Sequence, residues 1–168
     1  MRICVFCSSS DAVDRAFLDA AAQTGSLIAQ GGHSLVFGGG RVGLMGAVAR
    51  GVHAGGGRVV GIIPTFMNRP GVPCLDCDEL IFTADMRERK ARMMEMAEAF
   101  IALPGGFGTL EEMSEVITQK QFDFVTYALL RAPAGTTPYP LLRWRVFPDV
   151  RIPGSAEVPD ARQVEGDP

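Results

Sequence analysis

The residues best equipped for chemistry in this 168-residue chain stand together in Pro104-Gly105-Gly106-Phe107-Gly108-Thr109-Leu110-Glu111-Glu112. An apolar run over residues 99–103 reads as a buried strand, stops at Pro104 and turns through three glycines. From Thr109 the apolar positions Leu110, Met113, Val116 and Ile117 recur at helical spacing. A strand feeding a glycine-rich turn and then a helix gathers backbone N–H groups and the positive end of a helix dipole at one spot, which suits phosphate. Counted from Thr109, Glu111 and Glu112 fall in the first helical turn. There the dipole favours the ionised carboxylate, and so charge stabilisation or base catalysis over proton donation. The same letters have a structural reading, because Thr109 to Glu112 is also a capping box in which Glu112 satisfies the Thr109 N–H.

The elements that must position this stretch alternate along the chain. Residues 2–7 form an apolar run ending in Ser8-Ser9-Ser10, the pattern of a parallel strand buried on both faces. In open α/β sheets ligands bind at the carboxyl edge, so Ser8 and Ser9 are candidates for ligand contact, with capping of the next helix by Ser10 or Asp11 as the alternative. Residues 11–30 read as an amphipathic helix, 34–37 as a second strand and 44–53 as a second helix. Between strand and helix, Gly38-Gly39-Gly40 allows backbone to approach a ligand closely or serves as a flexible connection. A third strand over 58–64, a loop over 65–79 and a fourth strand over 80–82 precede a helix carrying Arg87, Glu88, Arg89, Lys90 and Arg92. Such a charge run is ordinarily a solvated face; Met86, Lys90 and Met93 or Met94 share another face by spacing. The alternation predicts a single-domain α/β protein with a doubly wound, Rossmann-like parallel sheet.

Composition agrees with one globular domain: 47% of residues are hydrophobic and 21% charged. A net charge of −3 argues against nucleic acid as a partner, since that binding draws on clustered Lys and Arg. With neither a leader pattern after Met1 nor an apolar run of membrane length, a soluble cytoplasmic protein is expected.

Two C-x-x-C pairs need weighing, Cys4 with Cys7 and Cys74 with Cys77. Residues three apart in a strand point to opposite faces, so Cys4 and Cys7 cannot share a metal. Cys74 and Cys77 sit in a loop and can come together, as a structural metal pair or as small buried or surface thiols, the reading adopted. His33 and His53 belong to no metal-ligand motif, and no metal is expected.

Three blocks carry a resemblance. Pro104 to Glu112 matches the PGGxGTxxE signature of the LOG ("Lonely Guy") family, phosphoribohydrolases of cytokinin riboside 5′-monophosphates often described as lysine decarboxylases. Gly38-Gly39-Gly40-Arg41-Val42-Gly43-Leu44-Met45-Gly46 resembles its GGGxxGLMG block, and Met86-Arg87-Glu88-Arg89-Lys90 its Met-x-x-Arg-Lys helix. The resemblance runs from about residue 2 to about residue 121. It implies hydrolysis of the N-glycosidic bond of an adenosine 5′-monophosphate, N6-modified or plain, without metal or organic cofactor, by a homodimer. Arg89 and Glu112 are then the catalytic pair. The implied substrate contacts are Ser8, Ser9, Gly39, Gly40, Met86, Lys90, Gly105, Gly106, Phe107, Gly108, Thr109, Leu110 and Glu111. The 5′-phosphate would rest on Gly105, Gly106, Gly108 and Thr109, and Glu112 would stabilise the oxocarbenium-like transition state or activate water.

Two other readings compete. A nucleotide or molybdenum-cofactor carrier of the same fold would keep the glycines but need no Arg89 and Glu112 pair. A pyridoxal-phosphate lysine decarboxylase needs a Schiff-base lysine and a larger chain, whereas this chain has only Lys90 and Lys120.

After Gln121 the text changes. Seven of the 11 prolines fall from Pro133 onward and no lysine follows Lys120. A GC-rich gene read out of frame yields such a composition, so a frameshift near Phe124 is expected, with a genuine variant tail as the alternative. The chain therefore divides into a nucleotide-hydrolase domain over 1–121 and a divergent tail over 122–168, with the family's last strand missing or replaced and dimer formation weakened.

Overall fold

The computed structural model describes residues 1–120 and 126–129. In chain order the elements are β1 (Arg2–Phe6), α1 (Arg15–Gln30), β2 (Ser34–Phe37), α2 (Gly43–Ala54), β3 (Val59–Pro64), a 3-10 turn (Thr65–Met67), β4 (Glu79–Thr83), α3 (Met86–Met96), β5 (Ala99–Ala102), α4 (Phe107–Lys120) and β6 (Thr126–Leu129). The strands form one sheet in the order β4-β3-β2-β1-β5-β6, and every neighbouring pair is parallel. This is the doubly wound α/β architecture that the alternation of apolar runs predicts. No helix among the described residues is long and apolar enough to cross a membrane.

The central strands read as unbroken apolar runs because both of their faces are covered. On one face Val5, Cys7, Leu35 and Phe37 pack against Phe17, Ala21 and Ile28 of α1 and Leu44, Val48 and Val52 of α2. On the other, Cys4, Phe6, Val36 and Ile62 meet Met93 of α3 and Val116 of α4. Cys4 and Cys7 accordingly lie on opposite faces of the sheet, as strand alternation requires.

The strand order positions the site. From β1 the chain steps outward to β4 on one side and then returns to β5 on the other, so the loops after β1 and β5 part in opposite directions and open a crevice at the carboxyl ends. The two loops are joined by Leu103 N–H to Phe6 O at 2.9 Å and Ser8 N–H to Pro104 O at 3.1 Å.

One expectation changes. Helix α1 begins at Arg15, not at residue 11, and its cap is Asp14, whose Oδ1 accepts from Ala16 N–H at 2.8 Å. The Asp11 carboxylate instead accepts from Gly43 N–H at 2.8 Å, at the N-terminus of α2, where a negative charge is favoured. At the sheet edge β6 pairs with β5 from Ala99↔Thr126 to Ala102↔Leu129, inside the segment read as divergent tail, where the family's last strand is expected to be missing or replaced. The frameshift reading of the remaining tail falls on residues outside those described.

Candidate active site

Helix α3 owes its placement to caps at its start. Asp85 Oδ1 accepts from Glu88 N–H and Glu88 Oε2 accepts from Ala84 N–H, both at 2.8 Å. This sets the register that turns Arg89 and Met93, one helical turn apart, toward the sheet while Arg87 and Arg92 face solvent. Arg89 is 5% exposed. Its Nε donates to Ile62 O at 3.1 Å and its Nη1 to Glu112 Oε1 at 2.8 Å. Room for the guanidinium comes from Gly38, where a Cβ would stand 1.9 Å from Nη2.

Helix α4 starts two residues before the expected point. It begins at Phe107, and Leu110 N–H donates to Gly106 O at 3.2 Å. Thr109 is therefore inside the helix and neither Glu111 nor Glu112 occupies its first turn, so the capping box does not form. Glu112 is 6% exposed and turned to Arg89. Burial holds its carboxyl above the ordinary carboxylate range, outweighing the Arg89 charge, which pulls the other way. The expected dipole effect on this residue gives way to desolvation. A buried ion pair returns little net stability, because desolving two charges offsets most of their attraction. Such a pair in a cleft is a functional-site candidate.

Lys90, one residue along α3, is held by two carboxylates of α4. Its Nζ bonds Glu111 Oε1 and lies 3.0 Å from Glu115 Oε2. These partners, Glu111 first, raise its pKa and keep it protonated. Glu115 escapes the motif reading, although its i+4 spacing from Glu111 places both on one helix face. Gly38 and the Ile62 carbonyl were also out of reach, since their role depends on where a side chain 51 and 27 residues away arrives.

The two glycine-rich loops differ. At the start of α2 two backbone donors are already satisfied within the chain, Gly43 N–H by Asp11 at 2.8 Å and Met45 N–H by Ser8 O at 3.2 Å. Gly39 and Gly40 are buried under residues 72–74: Cys74 N–H donates to Gly39 O at 2.8 Å and Gly40 bridges to Pro73. At the start of α4, by contrast, the places a side chain would fill at Gly106 and Gly108 are open, and Phe107 is 82% exposed. Gly105 is needed for close approach, since a Cβ there would meet Thr109 Oγ1 at 2.1 Å and Ser8 N at 3.1 Å. Ser8 thus lies against Gly105, its Oγ accepting from Ser10 N–H at 3.1 Å, while Ser9 is exposed. Met86, the first residue of α3, is 40% exposed; Leu110 is half-buried in the first turns of α4.

These features define a doubly wound α/β protein with an open glycine-rich helix start and a buried arginine–glutamate pair at the sheet's topological switch point. The chain belongs to the LOG family, whose sequence profile, described as possible lysine decarboxylase, matches residues 45–130. It is 48% identical over 134 residues to a cytokinin riboside 5′-monophosphate phosphoribohydrolase of Arabidopsis thaliana, a match covering 80% of this chain and 59% of that protein. A cytokinin riboside 5′-monophosphate phosphoribohydrolase of Oryza sativa subsp. japonica is 47% identical over 120 residues, 71% of this chain and 50% of its own length. The chain thus spans about half the length of the curated relatives it matches. Among solved structures, the molybdenum cofactor binding protein of Rippkaea orientalis superposes with a TM-score of 0.62 at 28% identity, covering 77% of each chain.

Proposed function

We propose that this chain hydrolyses the N-glycosidic bond of an adenosine 5′-monophosphate, plain or N6-modified, to free base and ribose 5-phosphate. The observation that carries the reading is the buried Arg89–Glu112 pair beside the open helix start of Gly105 to Thr109. The names of the curated relatives support it.

In this reading the 5′-phosphate rests on the backbone N–H groups of Gly105, Gly106 and Gly108 and on the Thr109 hydroxyl. Glu112 lies five residues beyond Phe107, roughly 7.5 Å along the helix axis at ~1.5 Å per residue, which sets it near the far end of a ribose held by its phosphate. Cleavage leaves positive charge on the ribosyl ring. A carboxylate at the anomeric carbon stabilises that charge or takes a proton from the attacking water. Arg89 keeps the Glu112 carboxylate oriented and becomes available to the substrate when the pair loosens. Ser8, Ser9, Met86, Leu110 and Phe107 complete the pocket, with Lys90 and Glu111 at its margin; Gly39 and Gly40 act from beneath it, as the turn that admits Arg89. No step requires a metal or organic cofactor. A homodimer belongs to the same reading and is checked by sedimentation.

The carrier reading has the fold of the Rippkaea orientalis protein behind it. It gives no use to a costly buried ion pair in the binding crevice, and the relatives named as hydrolases are far more similar in sequence.

The test follows release of base and ribose 5-phosphate from AMP, from isopentenyladenosine monophosphate and from the two matching nucleosides. Hydrolysis of the monophosphates only is expected, because the phosphate site supplies binding energy. Equal rates on monophosphate and nucleoside would remove the phosphate site, and tight binding without turnover would favour the carrier.

A further inference from the structure

One pair of reactive groups has no part in the reaction above. Cys74-Leu75-Asp76-Cys77 forms a tight turn, with Cys77 N–H approaching Cys74 O at 3.4 Å. Residues three positions apart across such a turn have Cα atoms closer than about 7 Å, within the span a disulfide bridges. The turn is pinned on both sides, by Cys74 N–H to Gly39 O at 2.8 Å and by Val59 N–H to Asp78 Oδ2 at 2.7 Å. Its tip is at the surface, with Leu75 77% exposed and Cys77 half-buried, and beneath it Cys74 is 7% exposed, in the apolar cluster that also holds Cys7.

We propose that Cys74 and Cys77 are a reversible oxidation site, closed to a disulfide by a small hydroperoxide. A thiolate of the pair attacks the peroxide O–O bond, becoming a sulfenic acid and releasing alkoxide or hydroxide, which takes up a proton. The second thiol displaces the sulfenic oxygen, which leaves as water while the S–S bond forms. Two thiols lose two electrons in all, and one hydroperoxide is reduced to an alcohol, or to water, with a second water from the sulfenic oxygen.

The chain contains its own controls. Cys4 is 0% and Cys7 2% exposed, each inside a hydrophobic cluster on its own face of the sheet, and burial pushes both thiols up, away from the reactive thiolate. At the turn the neighbouring Cys77 thiol pulls the Cys74 thiol down to about 7 against the opposing effect of burial, while Cys77 is pushed up. The His53 imidazole, held by Asp78 at 3.1 Å, adds to the lowering at Cys74. Because Cys74 bonds Gly39, next to the glycine that admits Arg89, the oxidised turn would brace that wall of the site.

The experiment treats the full chain with hydrogen peroxide at neutral pH, blocks remaining thiols with N-ethylmaleimide after unfolding, and reads the intact mass and the peptide map. Expected are two blocked cysteines, Cys4 and Cys7, a peptide with Cys74 and Cys77 joined, and full return of four blocked cysteines after dithiothreitol. In the Cys77→Ser variant the sulfenic acid should persist on Cys74 and react with dimedone. Four blocked cysteines after peroxide, irreversible sulfinic acid in place of the bond, or oxidation of Cys4 or Cys7 at the same rate would each overturn the proposal.

Discussion

The guanidinium of Arg89 passes Gly38 so closely that a Cβ on Gly38 would stand 1.9 Å from Nη2 and 3.0 Å from Cζ. The end of an arginine is usually free to move aside. Here it is pinned by Ile62 O at 3.1 Å and Glu112 Oε1 at 2.8 Å, so a methyl group at residue 38 acts on the ion pair before it acts on the fold.

Gly38→Ala should therefore lower turnover by roughly a hundredfold, since displacements of about 1 Å cost that much in a positioned site. The overpacking cost of about 1–3 kcal/mol should lower Tm by about 2–12 °C without preventing folding. Steady-state rates and a thermal melt on one sample separate the two effects. A variant with normal turnover would detach Gly38 from the pair.

Glu112→Gln retains the volume and an acceptor for Arg89, and it matches the protonated acid that burial favours. Melting should barely change while turnover falls by roughly two to three orders of magnitude, as for an interaction made in the transition state. Glu112→Ala leaves a buried guanidinium without its partner and should cost about 3–5 kcal/mol of stability, measured by denaturant unfolding. If the alanine variant is as stable as the glutamine one, the pair contributes nothing to the fold.

The raised Glu112 carboxyl has a sign in the pH profile of stability. Above the ordinary carboxylate value of 4.5 the unfolded chain has released this proton and the folded chain still holds it. Stability must then fall as pH rises from there through the raised folded value. Asp78, whose carboxylate is stabilised by the Val59 N–H and His53, contributes with opposite sign, losing stability as pH falls through its lowered value. The difference between wild type and Glu112→Gln isolates the first effect: wild type should lose Tm relative to the variant as pH rises. A constant difference across the range would contradict the burial assignment.

Lysine decarboxylation should be undetectable. A Schiff base needs a neutral amine, and Lys90 is kept protonated by Glu111 and Glu115. Incubation with pyridoxal phosphate followed by borohydride should leave the Lys90 peptide unmodified and release no amine product from lysine. A reduced adduct at Lys90 would reopen the decarboxylase reading.

Much of this protein is legible in its letters. Unbroken apolar runs such as Val59 to Pro64 announce strands buried on both faces, and their alternation with helical spacing leads to one doubly wound parallel sheet. The glycine-rich turn after β5 and the candidates Arg89 and Glu112 were visible because motif wording is local. What tertiary structure decided is how distant groups meet. Helix α4 begins at Phe107, so Glu112 faces the Arg89 guanidinium at 2.8 Å instead of capping Thr109. Asp11 lies ahead of α1 and serves α2 instead, accepting from Gly43 N–H at that helix's positive end. Gly38, not the open glycines, makes room for the arginine. Strand β6 pairs with β5 inside the segment that composition marks as divergent, since backbone pairing is available to any extended segment. Local spacing fixes which face a residue occupies within its element; whether that face meets solvent, a carboxylate or a carbonyl depends on the order of the strands, which no short stretch of sequence contains.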